Sequence, residues 1–451
     1  MSPSATNTDA TPSTARATTR QMVLVAVWLA LLTGALVGMV VARAPQMSPF
    51  DEGTHADYAY QVAHGHLPHA GSLGAVEISR EAACHGVLIP TRTPLPPCGT
   101  PNPPVGENYN FGHPPLYYAV TGTIAAAVDA VVPGRNFVTA GRLVGVFWLW
   151  AGAMVLFFAI HAFGVPWRFA AVAASMLPLV PGVLYASSTI TNDAAAALSG
   201  GMALFLLARV LVQGRTGWVL PIVVAFGVAA TKVLNALPLL VVAVVLSALA
   251  LVFRRRDGNW TQALPLLRVA VAVGVGVLVL YEGWALLQAG RAAPGWVSPI
   301  AGVHGRPITG RPLDEILSTS LTGFNVIAGY FLPNSLDGHA LVLWSRALNI
   351  AVLAAPLMVL VSWPRQTPSR IVGAATLGGL AAYPLIVELQ IYLSSRLYFS
   401  ALNPRYGLSL VPCVIACIAL VAWRRDAFRT MVATLCVGVV AVFTAVGGLL
   451  D

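Results

Sequence analysis

Four ionisable residues, Asp51, Glu52, His55 and Asp57, crowd into the stretch SPFDEGTHADYAYQVAHGHLP, residues 48–68. The chain is 57% hydrophobic and only 10% charged, so a cluster of acids in it calls for a cause. A carboxylate that solubility does not require usually pairs with a cation or handles a proton. Asp51 and Glu52 are neighbours, so one can face a cavity while the other braces the loop. The stretch also reads as a capped helix with acids favoured by its dipole. Further polar residues interrupt apolar sequence downstream. Asn192 and Asp193 lie in SSTITNDAAAAL, and Lys232, the one lysine of the chain, lies in AATKVLNALP. Arg396, Tyr398, Arg405 and Tyr406 lie in SSRLYFSALNPRYGLSLVP. Asn and Asp at such places also serve as caps, and a lone lysine can snorkel to headgroups. An ammonium and an Arg fork are equally the groups that bind phosphate oxygens. Acids with phosphate-binding bases around them point to chemistry on a phospholipid-like donor.

The elements that must position these residues are membrane helices. A chain of 451 residues with mean hydropathy +0.75 holds too much hydrocarbon for a water-soluble core, and its apolar runs are long enough to cross a bilayer. The expected fold class is an all-α polytopic membrane protein. Residues 1–21 are polar and rich in Ser, Thr and Ala, and are expected to be a disordered cytoplasmic N-terminus. The run 22–42 is too long for a signal-peptide core and reads as a retained first span. Further spans are expected at 143–163, 169–186, 194–212, 218–231, 234–253, 266–288, 340–363, 371–394, 406–423 and 430–450, about eleven in all. Placing Arg16 and Arg20 inside puts Arg168, Arg215, Arg254 to Arg256, Arg365, Arg370, Arg424, Arg425 and Arg429 at cytoplasmic ends. The same alternation sends a first loop, 44–142, and a second, 289–339, to the outer side, together with every polar cluster above. Residues 114–134 are apolar too, but a crossing there would invert all later loops, so they are expected to form a juxtamembrane helix at the outer surface.

The formal charge of +9 reports membrane orientation rather than a nucleic-acid partner. Cys84 and Cys98 flank HGVLIPTRTPLPP in the first outer loop, where an oxidising compartment favours a disulfide over two free thiols. Cys413, Cys417 and Cys436 fall within spans. No H-e-x-x-H or paired C-x-x-C pattern marks a metal site, and there is neither a Walker loop nor a Rossmann glycine fingerprint. No cofactor is firmly implied, and a divalent cation stays open.

Five stretches in order, SPFDEGTHADYAYQVAHG, FGHPPLYYAV, TITNDAAAAL, TKVLNALP and NPRYGLSLVP, resemble motifs of the membrane-embedded GT-C glycosyltransferases. The nearest members are bacterial relatives of protein O-mannosyltransferases and aminoarabinose transferases, and the resemblance covers most of the chain. It implies a GT-C-like bundle with a large first outer loop. By its match to the family, Asp51 is the catalytic base and Glu52 completes the acidic pair. Asp193 matches a second outer acid, Lys232 the lysine on the lipid phosphate, and Arg405 the basic residue before the Y-x-x-x-x-x-P helix that begins at Tyr406. His55 and Asn192 lie beside these positions as further substrate-binding candidates. One departure is His113, before PPLYY, where the aminoarabinose transferases carry a basic residue; a protonated histidine there would still donate.

The implied reaction moves a sugar from a polyprenyl-phosphate donor to a hydroxyl of a glycan, lipid or protein acceptor at the outer face, with inversion. The spans would hold the prenyl chain among the membrane lipids, and the product would belong to cell-envelope glycan or protein glycosylation. Tyr58, Tyr60, Tyr109, Tyr117 and Trp296 could stack on sugar faces, although such residues are more often interfacial anchors. The alternative is a proton-coupled transporter or lipid-linked sugar flippase, for which Glu282 and Glu388 are the midspan candidates.

Overall fold

The structure, a computed structural model, describes residues 17–86, 97–100, 106–132, 134, 136–258, 260–297, 306–307, 310–322, 326, 339–364, 367–399 and 402–447. Its first helix, α1 (Thr19–Arg43), opens on a capping box in which Thr18 and Gln21 satisfy each other's backbone N–H groups. The helix thus begins inside the segment expected to be disordered, and residues 1–16 lie outside the described ones. Leu29, Leu36 and Val37 are fully buried on one face of α1, whereas Val23, Leu24, Val27 and Leu31 are exposed on the other. The same outward display of large apolar side chains recurs around the bundle, on Val223, Val244, Val271, Ile350 and Val437. Water does not tolerate so wide an apolar surface, but lipid does.

The centre of the bundle is α5 (Phe137–Ala162), which packs on α1, on α4 (Leu116–Val131), on α6 (Trp167–Met176) and most extensively on α8 (Ala196–Leu211). Around it stand α10 (Leu237–Asp257), α11 (Ala263–Ala289), α13 (His339–Ser362), α14 (Pro368–Ser395), α15 (Val411–Arg424) and α16 (Phe428–Gly447). Two glycines set how closely the elements approach. A Cβ on Gly145 of α5 would stand 1.7 Å from the Ser187 carbonyl oxygen, and one on Gly200 of α8 would stand 2.0 Å from that of Ser409. Small residues at such crossings are what lets membrane helices pack without a hydrophobic driving force between them.

Nine helices among the described residues are long and apolar enough to cross a membrane, and a bent pair brings the number to ten. The difference from the eleven expected has two causes. The span expected at 169–186 is α6 and α7 (Pro181–Ser187), which meet at 69°. Pro178 and Pro181 flank the break and cannot donate the backbone hydrogen bonds that would carry the helix through it. The span expected at 218–231 is α9 (Val219–Thr231), 13 residues long. At about 1.5 Å per residue it falls well short of a hydrocarbon core of about 30 Å. Residues 114–134 form α4, 16 residues, also too short to span.

The described residues between α1 and α5 fold into α2 (Glu52–Ala63), α3 (Val76–His85), a tight turn at Tyr109–Gly112 and α4. Cys84, at the end of α3, is disulfide-bonded to Cys98. The Glu81 carboxylate accepts from the first N–H groups of α5, at Phe137 (3.2 Å) and Val138 (2.9 Å), which ties α3 to the central helix. The far end of α11 clamps the loop from the other side. Trp284 donates to the Gly112 carbonyl, Arg291 to that of Leu67, and Trp296 to the Glu107 carboxylate. The second loop contributes α12 (Pro312–Thr322) and a two-residue strand, β1 (Arg306–Pro307), paired antiparallel with β2 (Leu397–Tyr398).

Gly145→Ala and Gly200→Ala are each expected to cost about 2 kcal/mol by overpacking. Thermal unfolding in detergent should show both melting below the wild type, and Gly38→Ala, where a Cβ meets nothing within 4 Å, melting with it.

Candidate active site

Three membrane helices begin at the same place, and each begins with a tight turn that carries a polar residue. Asn192–Ala195 leads into α8, Val233–Ala236 into α10, and Pro404–Leu410 into α15. Two of the turns are held by their own caps. Thr191 accepts from the Asp193 N–H, and Asn403 accepts from the Arg405 N–H. Asn235 then links two of them by donating to the Asn192 carbonyl at 3.3 Å.

This convergence brings Asp51, Asp193, Lys232 and Arg405 into one network. Arg405 Nη2 donates to Asp51 Oδ2 at 2.8 Å, and Arg405 Nε stands 3.9 Å from Asp193 Oδ2. Lys232 Nζ donates to Asp193 Oδ1 at 2.5 Å. The Tyr406 ring lies beneath both cations, 5.4 Å from Lys232 Nζ and 5.5 Å from Arg405 Cζ. Two acids thus balance two bases, as ionised groups in so dry a setting must. Phe50, Tyr185, Thr191, Asp193, Asn403 and Arg405 line a small cavity of about 30 Å³.

Asp51 sits at the head of α2 in the left-handed conformation, φ 62°. Non-glycine residues adopt it rarely, Asn and Asp most readily. Its second oxygen accepts from Tyr109 Oη at 2.8 Å. Burial works against its charge, but attraction and hydrogen bonding from Arg405, with the Tyr109 bond behind them, hold the carboxyl below its usual range. Burial first, and the Asp51 charge next, push the Tyr109 hydroxyl up to about 12, so it stays a donor.

Glu52 is held differently from Asp51. It is 1% exposed and grips Arg142 of α5 through Nε (2.7 Å) and Nη2 (2.8 Å). It also accepts from the Ser48 and Ile190 N–H groups, while Arg142 donates to the carbonyls of Ala44, Pro45 and Gln46. With every lone pair engaged, Glu52 is placed to brace the site. It fastens the end of α1, the head of α2 and the turn before α8 to the central helix.

His113 departs from expectation. Burial, then the Lys232 charge, lower its pKa to about 3, so the ring is neutral at pH 7 and carries no charge for a phosphate. Its ring stacks 6.0 Å from that of His55, whose Nδ1 shares a 2.7 Å hydrogen bond with Tyr118. His55 is likewise held neutral, by burial and by His113. Asn192 is fully buried beside Asp193, its side-chain amide without a hydrogen-bond partner, and it does not line the cavity. Asp57 accepts from Gln61, Asn108 and the Ala75 N–H, which pins the loop. Tyr58 stacks on Tyr118 at 3.9 Å, Tyr117 is buried against Trp148, and Tyr60 leans on His64. Trp296 packs on the edge of Phe111. Glu282 is exposed on α11, and Glu388 is buried and accepts from the Phe399 N–H. Among the described residues no three His, Cys, Asp or Glu side chains form a metal-ligand set.

Sequence reasoning missed Arg142 and the hydrogen bond of Tyr109. The signal for Arg142 was present: a single arginine one turn into an otherwise apolar helix, where only a buried partner makes the charge tolerable.

This bundle of apolar helices, with acids and bases gathered beneath the folded segment between α1 and α5, has a counterpart among solved structures. Superposition on the crystal structure of ArnT from Cupriavidus metallidurans bound to undecaprenyl phosphate gives a TM-score of 0.51 at 16% sequence identity, over 90% of this chain. The chain spans 60% of the length of ArnT. No protein-family profile and no curated protein sequence matches it.

Replacing either partner of the buried Glu52–Arg142 pair strands the other, so Glu52→Ala and Arg142→Met should each lose about 3–5 kcal/mol. In thermal unfolding, Glu52→Leu combined with Arg142→Met should lose far less than the sum of the two.

Proposed function

We propose that this protein is an inverting glycosyltransferase that takes a sugar from a polyprenyl-phosphate donor and delivers it to an acceptor hydroxyl at the extracytoplasmic face. The observation that carries the reading is the meeting of Asp51, Asp193, Lys232 and Arg405, drawn from four distant segments, in one ion-pair network, of which Asp193 and Arg405 line a cavity. The likeness in fold to ArnT, a structure with undecaprenyl phosphate bound, supports a donor of that class. Sidedness is supported by charge. Arg209, Arg254 to Arg256 and Arg424 lie at the ends of α8, α10 and α15 opposite the site, and the positive-inside bias assigns that end to the cytoplasm.

In this reaction Asp51 removes the proton of the attacking hydroxyl as its oxygen bonds to the anomeric carbon. The bond from that carbon to the phosphate oxygen breaks with its electron pair, and the polyprenyl phosphate leaves as a monoester. Lys232 and Arg405 stabilise the charge that grows on it. Asp193 holds the lysine, and its own charge is matched by both bases. Glu52, through Arg142, holds the backbone from which Asp51 projects.

Asp51→Asn keeps a residue suited to the left-handed backbone, so the variant should fold like the wild type and lose transfer by about 10²–10⁴-fold. Sugar transfer from synthetic polyprenyl-phosphate sugars to envelope extracts is the assay; wild-type rates in Asp51→Asn would dismiss the mechanism. A cysteine placed at Glu107 should react with a membrane-impermeant maleimide in intact cells, and one at Arg215 only after permeabilisation.

A further inference from the structure

Arg405 is only partly committed. A guanidinium binds an anion best along the edge that presents Nε and Nη2 side by side, where two parallel bonds form at once. In Arg405, Nη2 of that edge is given to Asp51, whereas Nε is buried, 3.9 Å from the nearest Asp193 oxygen, and has no hydrogen-bond partner among the described residues. Arg405 lines the cavity, so a phosphodiester that reaches this guanidinium meets one unmet donor and one donor held by the proposed base.

Charge sharpens the conflict. Asp51 and Asp193 already match Lys232 and Arg405, and a phosphodiester adds a third anion. One carboxylate must give way. Asp193 is held by Lys232 and is 4% exposed; Asp51 has only Arg405 and Tyr109 and is the less enclosed of the two.

Resting on the proposed function, we infer that Arg405 serves two anions in turn: it holds Asp51 until the donor phosphate claims its Nε–Nη2 edge. Asp51 then stays in place on Tyr109 alone and becomes the more basic group that catalysis needs. Tyr109 is therefore a positioning residue. The order of events follows from the geometry: the base gains strength only when the leaving group is already seated on the residue that will stabilise it.

The switch has a proton signature. Asp51 faces Arg405 from the turn before α15, Tyr109 from the outer loop and His55 from its own helix, with His113, Asp193, Lys232 and the Glu52–Arg142 pair further off. Losing the one cation in contact with it raises its proton affinity, so seating a phosphodiester favours proton uptake at Asp51. Affinity should then rise as pH falls.

Methyl undecaprenyl phosphate, a diester without a proton to lose in this range, is the probe, and its binding to the detergent-solubilised full chain is the measurement. From about pH 7 to about pH 3, the wild type should bind progressively more tightly, approaching the roughly tenfold limit that a difference of about one pKa unit between free and bound Asp51 sets once both forms are protonated. Asp51→Asn should bind at neutral pH as tightly as the wild type does in acid, with no pH dependence. Tyr109→Phe should move the rise in affinity to higher pH, which loss of packing alone would not do. A flat wild-type profile, or a slope that survives in Asp51→Asn, would overturn the inference while leaving the lipid-phosphate reading intact. Failure of the wild type to bind the diester at any pH would instead remove the proposed function itself, and the switch with it.

Discussion

Charges that leave water must find partners, and in this protein that constraint organises everything around the site. An unmatched carboxylate or ammonium at the mouth of a membrane helix costs several kcal/mol, and no local sequence feature repays it. Asp193 and Lys232 are each at most 6% exposed, and they meet across 39 residues of sequence. Arg405 closes on Asp51 across 354. Each contact fixes the head of one helix against another. Because the turns at Asn192–Ala195, Val233–Ala236 and Pro404–Leu410 supply these groups, the pairing also sets the register in which α8, α10 and α15 start.

The two adjacent acids show how one constraint yields two roles. Glu52 turns toward α5 and is satisfied completely by Arg142 and two backbone N–H groups. Asp51, on a left-handed backbone, is satisfied only by the side chains of Tyr109 and of Arg405, which lines the cavity. A group whose partners are all internal has nothing left to do but hold. A group with a partner that borders a cavity can exchange it, and exchange is what base catalysis in the proposed reaction requires.

Depth matters as well. The central α5 runs 26 residues and α11 runs 27, whereas α9 runs only 13 before Lys232. The short α9 ends at Lys232, and α7, beyond the break, ends shortly before the turn that carries Asp193. The apolar walls and the folded loop above then limit water, which strengthens every electrostatic interaction within.

How much of this the sequence determined differs from residue to residue. Apolar runs of about 20 residues specify membrane helices because lipid leaves the backbone no other choice. The ends of the runs specify where Asp51, Asp193, Lys232 and Arg405 emerge, and the arginines at the other ends specify that all four emerge together. Length alone could not foresee that 169–186 would bend at its prolines or that α9 would stop short, since both depend on what the neighbouring helices accommodate. Nor could it assign Glu52 to Arg142, neutralise His113, or set Tyr109 on Asp51. Those outcomes depend on distance and burial between segments far apart in the chain. Hydropathy adds up residue by residue, but a charge is set by whichever group the fold brings within reach.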